Sequence, residues 1–200
     1  MKIRNIMLLA CLAFALVSCK NDKKTEDSQT GHEGHEHEEV VKSEKIRVSV
    51  LLEPRSDSNT TGRVNFIEEN GVVTLYAEIE GLDPGTHAIH LHEFSDCSAA
   101  DGTSTGGHWN PTFEKHGKWG DAEGYHRGDI GNFEVGDNGI GNIEFKTDLW
   151  CIGCDDETKN IIGKSVIVHA GVDDFVTQPT GDAGGRISCG GIIELPAQPL

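Results

Sequence analysis

Ile46, Val48, Val50 and Leu52 alternate with polar neighbours, interrupted only by Leu51. A period of two is the mark of a strand with one buried face, so the folded part of the chain is expected to open as β-structure. Two further runs, RVNFIEE and VVTLYAEIE, flank Asn70-Gly71. That dipeptide is the strongest short hairpin signal, because a tight turn between twisted strands needs positive φ at both central residues. GLDPG over 81–85 predicts a turn and Thr86–Glu93 the next strand. From Phe94 to Gly131 the periodicity gives way to glycine, polar residues and histidines, which predicts one long functional loop. Strands return with NFEV (132–135), a Gly-Asp-Asn-Gly turn, GNIEFKTDL and SVIVH (165–169). A second long loop to Gly185 and RISCGGIIEL follow. After residue 18 no segment of useful length has helical period. Many short strands with two long loops predict an all-β sandwich or barrel.

Composition narrows the reading. Two hundred residues suit one domain with additions, and 36% hydrophobic residues with 25 glycines support one modest, turn-rich core. A net charge of −16 argues against a nucleic-acid partner, since phosphate backbones are met by Lys and Arg. At the N-terminus, Lys2 and Arg4 precede an apolar run from Ile6 to Val17, which is short for a bilayer span. Residues 1–18 are therefore expected to be a secretory signal. Leu16-Val17-Ser18-Cys19 resembles the lipobox of bacterial lipoproteins, which makes Cys19 the expected lipidated terminus; an ordinary signal peptide cut nearby is the plainer alternative. Losing Lys2 and Arg4 takes the charge from −16 to −18. Residues 19–44 are charged and poor in apolar side chains, the composition of a flexible, lipid-anchored tether. The domain is expected over 45–200.

Export implies an oxidising compartment, where disulfides persist. Beyond Cys19 (and Cys11, within the apolar run) stand Cys97, Cys151, Cys154 and Cys189, which allow three full pairings that the sequence alone does not separate. Histidine is the other unusual residue. His90 and His92 lie on one face of their strand, roughly 7 Å apart at Cα, and can converge on one metal, while His87 faces the other way. His108, His116, His126 with Asp129, and His169 follow. A single histidine is more often a hydrogen-bonded or solvated imidazole. Six around one loop and two strand ends point instead to metal: imidazole favours zinc and copper, and a carboxylate added to a histidine set suits zinc. There are too many ligands for one ion, which suggests two sites.

H-x-H-E-F, G-G-H-W-N-P, K-H-G, H-R-G-D-I-G-N, V-I-V-H-x-x-x-D-D and G-D-A-G-G-R-I-S-C-G occur in the order found in copper–zinc superoxide dismutases, and the resemblance covers roughly residues 45–195. It implies a flattened eight-stranded Greek-key β-barrel, akin to the immunoglobulin-like sandwiches; copper–zinc superoxide dismutase is a named example of that architecture. Carried over position by position, His90, His92, His108 and His169 would bind copper, and His108, His116, His126 and Asp129 would bind zinc. His108 would bridge the two ions. The resemblance further implies an anion-holding role for Arg186, a channel-narrowing role for Thr180, and hydrogen bonds accepted by Asp173 from histidines of both sets. His87 takes a packing or hydrogen-bonding role, Asp174 a structural one, and Cys97 pairs with Cys189. The implied reaction converts superoxide to dioxygen and hydrogen peroxide, with one copper and one zinc per subunit.

Three stretches need separate readings. Trp150-Cys151-Ile152-Gly153-Cys154 is not part of the family pattern; a local Cys151–Cys154 disulfide, a redox-active pair and an extra metal site are the alternatives. The loop DDFVTQPTGDAGG lacks the lysines with which many members steer superoxide, so steering should be weak, with Lys115, Lys118 and Arg127 as possible substitutes. His32, His35 and His37 sit among glutamates in GHEGHEHEE, similar to the histidine-rich N-termini of Gram-negative members, and either capture metal or serve as a solvated spacer. The expected setting is the envelope of a Gram-negative-type bacterium, periplasm-facing or at the surface, with membrane attachment by lipid alone. Family members occur as monomers and homodimers. The rival function is a non-catalytic envelope protein that binds or stores copper on the same fold.

Overall fold

The computed structural model describes residues 45–193. The expected signal (1–18), Cys19, the tether with His32, His35 and His37, and residues 194–200 lie outside the described residues.

Eight antiparallel strands close on themselves: β1 (Ile46–Pro54), β2 (Thr61–Glu69), β3 (Val72–Glu80), β4 (Gly85–His92), β5 (Gly131–Val135), β6 (Ile140–Thr147), β7 (Ser165–His169) and β8 (Arg186–Gly191). Around the barrel the order is β1-β2-β3-β6-β5-β4-β7-β8, and β1 pairs again with β8. The chain thus leaves β3 and crosses to β4, two strands beyond its neighbour β6, which is a Greek-key connection. Among the described residues the only helical piece is a 3-10 turn at Thr103–Thr105.

The period-two pattern places the core. Val50, Leu52, Val64, Phe66, Val73, Leu75 and Ile79 all face inward, alternating with exposed or half-buried side chains that are mostly polar, Leu51 being the exposed apolar exception. Asn70 and Gly71 both take positive φ, 54° and 74°, so the hairpin closes in register with Glu69 opposite Val72. Trp150 plugs one side of the core against Phe66, Phe145 and Trp119. Its indole Nε1 donates to the carbonyl of Arg127 at 2.8 Å, which ties the first long loop to the barrel wall.

Both cysteine pairs are bonded. Cys97–Cys189 joins the first long loop to β8 across 92 residues, as the resemblance implied. Cys151–Cys154 closes a local turn, the first of its three alternatives.

Candidate metal centre

Strand β4 has two different faces. Ile89 and Leu91 enter the core, while His90 and His92, both wholly buried, face outward beneath the first long loop. The loop lies on β4 through backbone bonds: Trp109 N donates to the Leu91 carbonyl (2.8 Å), Leu91 N to the Gly128 carbonyl (2.9 Å), and Gly128 N to the Trp109 carbonyl (2.9 Å). A Cβ at Gly128 would run into the Leu91 carbonyl. The glycine of H-R-G-D is therefore what lets His126 and Asp129 reach the strand. From the other side, His169 ends β7 where the pairing with β8 shifts register between Val168 and His169. Such a bulge re-aims the side chain that follows it.

Two sets result. The ligand atoms of His90, His92, His108 and His169 lie within 4.8 Å of one another, and so do those of His108, His116, His126 and Asp129. All seven side chains are buried, and His108 belongs to both sets. Five of the six rings are clasped through one nitrogen. His90 Nε2 meets Asp173 Oδ2 at 2.8 Å, His92 Nδ1 donates to the Gly106 carbonyl at 3.0 Å, and His169 Nδ1 donates to the Gly184 carbonyl at 3.2 Å. His116 Nε2 meets Asp173 Oδ1 at 2.8 Å, so one carboxylate holds one ring from each set. His108 Nδ1 meets Asp129 Oδ1 at 2.8 Å. His116 Nδ1 and His126 Nδ1 lie 3.0 and 3.3 Å from the same carboxylate without hydrogen-bond alignment.

The other nitrogens decide what the site is for. His90 Nδ1, His92 Nε2, His108 Nε2, His116 Nδ1, His126 Nδ1 and His169 Nε2 are buried without a hydrogen-bond partner. An unsatisfied buried polar group costs about 1–3 kcal/mol, so six in one place need a common purpose. Six convergent ring nitrogens with one carboxylate are a donor set for metal. A closed three-histidine, one-carboxylate group suits zinc, and four imidazoles without thiolate suit Cu(II). The residues present fit both ions.

Electrostatics separates the sets. Burial, then repulsion from His108, His169 and Arg186, holds His92 well below the usual histidine range. Burial and the neighbouring His90 and His108 do the same to His169. Burial carries His108 down to about 4, against the pull of Asp129. His116 goes the other way. Burial lowers it, but the carboxylates of Asp129 and Asp173 outweigh that and raise it to about 9. Burial pushes Asp129 upward, yet the rings of His108, His116 and His126 hold its carboxyl well below the usual carboxylate range. Asp173 is likewise depressed, by His116 and His90 against burial.

The remaining expected residues fall around this centre. His87 is buried at the barrel end, its ring nitrogens 3.0 Å from the His169 carbonyl and 2.9 Å from the Asp83 carbonyl, which ties the β3–β4 turn to the end of β7. Arg186 is half-buried at the start of β8, and its Nη1 donates to the Gly102 carbonyl (2.8 Å) and Thr105 Oγ1 (2.9 Å). Thr180 is half-buried beside Gly181 in the second long loop. Asp174 accepts from Val176 N, Thr177 N and the Thr177 hydroxyl, a turn-forming role. Lys115 and Lys118 are exposed and Arg127 is half-buried.

Five residues escaped the sequence reading. Thr105, wholly buried, accepts from Arg186 and donates to the Gly102 carbonyl at 2.8 Å. Asn132 clamps Asp173 by its backbone, Nδ2 to the carbonyl and Oδ1 from the amide, both 2.8 Å. Gln178 does the same to His116. Gly181, at φ 68°, sits where a Cβ would strike Asp173 and His116. Gly128 is the fifth; it and Asn132 stand inside the quoted H-R-G-D-I-G-N motif, and Gly181 opens the quoted G-D-A-G-G-R-I-S-C-G. Backbone contacts of this kind leave no periodicity to read.

The comparisons agree with this geometry. Residues 60–192 match the family described as copper/zinc superoxide dismutase. The chain is 35% identical over 141 residues to Superoxide dismutase [Cu-Zn] 3 of Arabidopsis thaliana, covering 67% of this chain and 83% of that protein. It is also similar to the crystal structure of a double mutant of a SOD-like protein from Bacillus subtilis. That match has a TM-score of 0.66 and 30% identity, and covers 73% of this chain and 97% of that one. With the family match over residues 60–192 and a 35% identical relative covered over most of its length, the chain belongs to the copper/zinc superoxide dismutase family.

Proposed function

We propose that the protein dismutates superoxide at a copper site made by His90, His92, His108 and His169, joined through His108 to a structural zinc site of His108, His116, His126 and Asp129. The observation that carries this reading is the division of one ring. His108 directs Nδ1 toward Asp129 while Nε2 is buried and unpartnered among the other copper-set histidines. Its ring lies 4.0 Å from that of His90, centroid to centroid.

Copper in that set supplies a one-electron couple, oxidising one superoxide to dioxygen and reducing a second, with two protons, to hydrogen peroxide. Nε2 of His108 is the atom that takes up one of those protons and gives it to the product, the other coming from water. Arg186 remains a cation at neutral pH and holds the incoming anion through the guanidinium edge left free by Gly102 and Thr105. Thr180 narrows the approach. Asp173 fixes the planes of His90 and His116, so the two sets cannot reorient separately. With a net charge of −16 and no lysine in the second long loop, capture depends on Arg186 at short range. Rates that fell steeply with added salt would count against that last point.

The test is protein loaded with both metals, assayed for cyanide-sensitive superoxide consumption and located by anomalous scattering at the copper and zinc edges. Two ions flanking the ring of residue 108, with activity, are expected. A single ion, or a ring that touches neither, overturns the reading.

The leader and Leu16-Val17-Ser18-Cys19 support an exported lipoprotein anchored through Cys19, facing the periplasm or cell surface. Mass spectrometry of the mature N-terminus checks this, and an unmodified terminus rejects it. His32, His35 and His37 serve metal capture in this setting. Deleting residues 31–39 should lower copper loading under scarcity, and equal loading leaves only a spacer.

A further inference from the structure

The β1–β2 connection, residues 55–60, reads in sequence as an ordinary polar turn, yet it is wedged between the start of β8 and the disulfide loop. Arg55 N donates to the Ile187 carbonyl at 2.9 Å, and Ser58 Oγ donates to the same carbonyl at 2.5 Å. Ser56 Oγ donates to the carbonyl of Arg186 itself at 2.9 Å, while Ser56 N donates to Ala100 at 2.7 Å. The Arg55 guanidinium is spent on main chain: Nε donates to the Cys97 carbonyl (2.9 Å) and Nη1 to the Pro54 carbonyl (2.6 Å), with only a long contact from Nη2 to Glu53 (3.4 Å). Its side chain is 14% exposed.

Between the two arginines lies Gly102. A Cβ there would sit 3.3 Å from Arg186 Cβ and 3.8 Å from Arg55 Cγ, and its φ is 72°. Gly102 also supplies the carbonyl that anchors Arg186 Nη1, and Thr105, the second anchor, is three residues on. The Arg186 carbonyl, and the disulfide loop (at Cys97 and Ala100) that carries both acceptors of its side chain, are thus bonded to the same short connection.

We propose that Arg55 and Ser56 are positioning residues for Arg186: they lock the disulfide loop and the start of β8 together, so that the guanidinium edge left free by Gly102 and Thr105 is held toward the incoming anion. This rests on the anion-holding role of Arg186 proposed above. A fork that donates to the Cys97 and Pro54 carbonyls is specific to arginine; lysine keeps the charge but not the geometry. Displacing a group that positions a reactant by about 1 Å can cost up to roughly a hundredfold in rate.

Arg55→Lys separates position from charge. In metal-loaded protein it should lower kcat/KM and azide affinity by about tenfold, with salt dependence, disulfide content and copper spectrum unchanged. Ser56→Ala, which removes one bond and adds no bulk, should move both in the same direction by about threefold. Combining Arg55→Lys with Arg186→Ala should add nothing to the loss from Arg186→Ala alone. A separate readout needs no turnover. The Arg186 side-chain NMR signals of 15N-arginine-labelled protein should broaden or exchange faster in both variants. Wild-type kcat/KM, azide affinity and Arg186 signals in Arg55→Lys would overturn the proposal, as would additive losses in the double variant. If wild-type protein is inactive the dismutase reading fails, and the NMR comparison still decides whether the clamp exists.

Discussion

The two ligand sets share a ring but are built differently. The four-histidine set takes three members from strands β4 and β7, His90, His92 and His169, and contains no carboxylate. Burial, reinforced by repulsion from neighbouring rings and Arg186, lowers His92 and His169, so both stand ready as neutral imidazoles. The second set comes entirely from the first long loop and is organised around Asp129, whose Oδ2 also accepts from His126 N at 2.8 Å and Gly117 N at 3.2 Å. A loop has no ladder to hold it, so a buried anion gathers its rings, and together with Asp173 that anion keeps a proton on His116. Strand-borne ligands are preorganised by the fold; loop-borne ligands are organised by charge, and by metal when it arrives.

The sharpest way to break that comparison is to remove the anion. Asp129→Asn keeps the shape but not the charge that holds three rings. Zinc affinity should fall by more than about a hundredfold in chelator competition, since a direct ligand is lost where even supporting partners are worth 10–100-fold. Copper affinity should fall far less. Equal losses at both sites would mean that the fold does not preorganise the strand-borne set.

The same contrast marks what the sequence could tell. Alternation in β1 and β3 gave the strands to within a residue or two, because burial on one face imposes a period of two, while β4, buried on both faces, was placed by the turn before it. The long loop was visible from its missing period, and its histidines from their number. How the loop attaches was not visible: it rests on backbone bonds at Leu91, Trp109 and Gly128, which any side chains could make. The bulge before His169 was hidden too, since nothing in SVIVH distinguishes a strand end from a shifted register. Ring-by-ring assignment came from the family resemblance, and Asp173 contacts one ring of each set. Asn132 and Gly181 beside it, and Gln178 on the His116 backbone, were not read in those roles, because each acts through main chain or through empty space.

Gly181 makes that empty space testable. Alanine there meets both a positive φ and the Asp173–His116 contact, so Gly181→Ala should displace the one carboxylate that joins the sets. A drop of about 10–100-fold in zinc affinity is expected, with a stability loss of about 1–3 kcal/mol in thermal or denaturant unfolding. Copper affinity should also move, because His90 loses the same partner. A copper site left untouched would show that His90 does not need Asp173.

Protons provide a gentler probe. With His116 raised to about 9, metal-free protein at pH 7 carries a proton that zinc must displace. Zinc affinity should therefore rise by about tenfold per pH unit between 7 and 9, with proton release visible by calorimetry in buffers of different ionisation heat. Copper affinity over that range should change little, because His92 and His169 are already neutral and His108 titrates at about 4. Stability of the metal-free protein follows the same signs. The raised His116 stabilises fully below about 6.5 and loses that contribution as pH rises through about 9. The lowered His92, His108 and His169 stabilise above about 6.5, and their contribution disappears as pH falls toward 4. A metal-free melting temperature unchanged from pH 7 to 5 would contradict this.

The smallest effect belongs to His87, which supports the strand-borne set from the far side of β4. Its ring bridges the His169 and Asp83 carbonyls, but His169 is also held by the Gly184 carbonyl and by pairing with β8. Support on that side is redundant. His87→Gln keeps a donor for one carbonyl and should cost about 1–2 kcal/mol in unfolding, the size of one buried hydrogen bond with part of its packing. Copper affinity and dismutation should stay within about tenfold of wild type. If copper affinity instead fell as far as zinc affinity does in Asp129→Asn, the strand-borne ligands would depend on a single clasp just as the loop-borne ones depend on a single anion, and the distinction between the sets would reduce to charge.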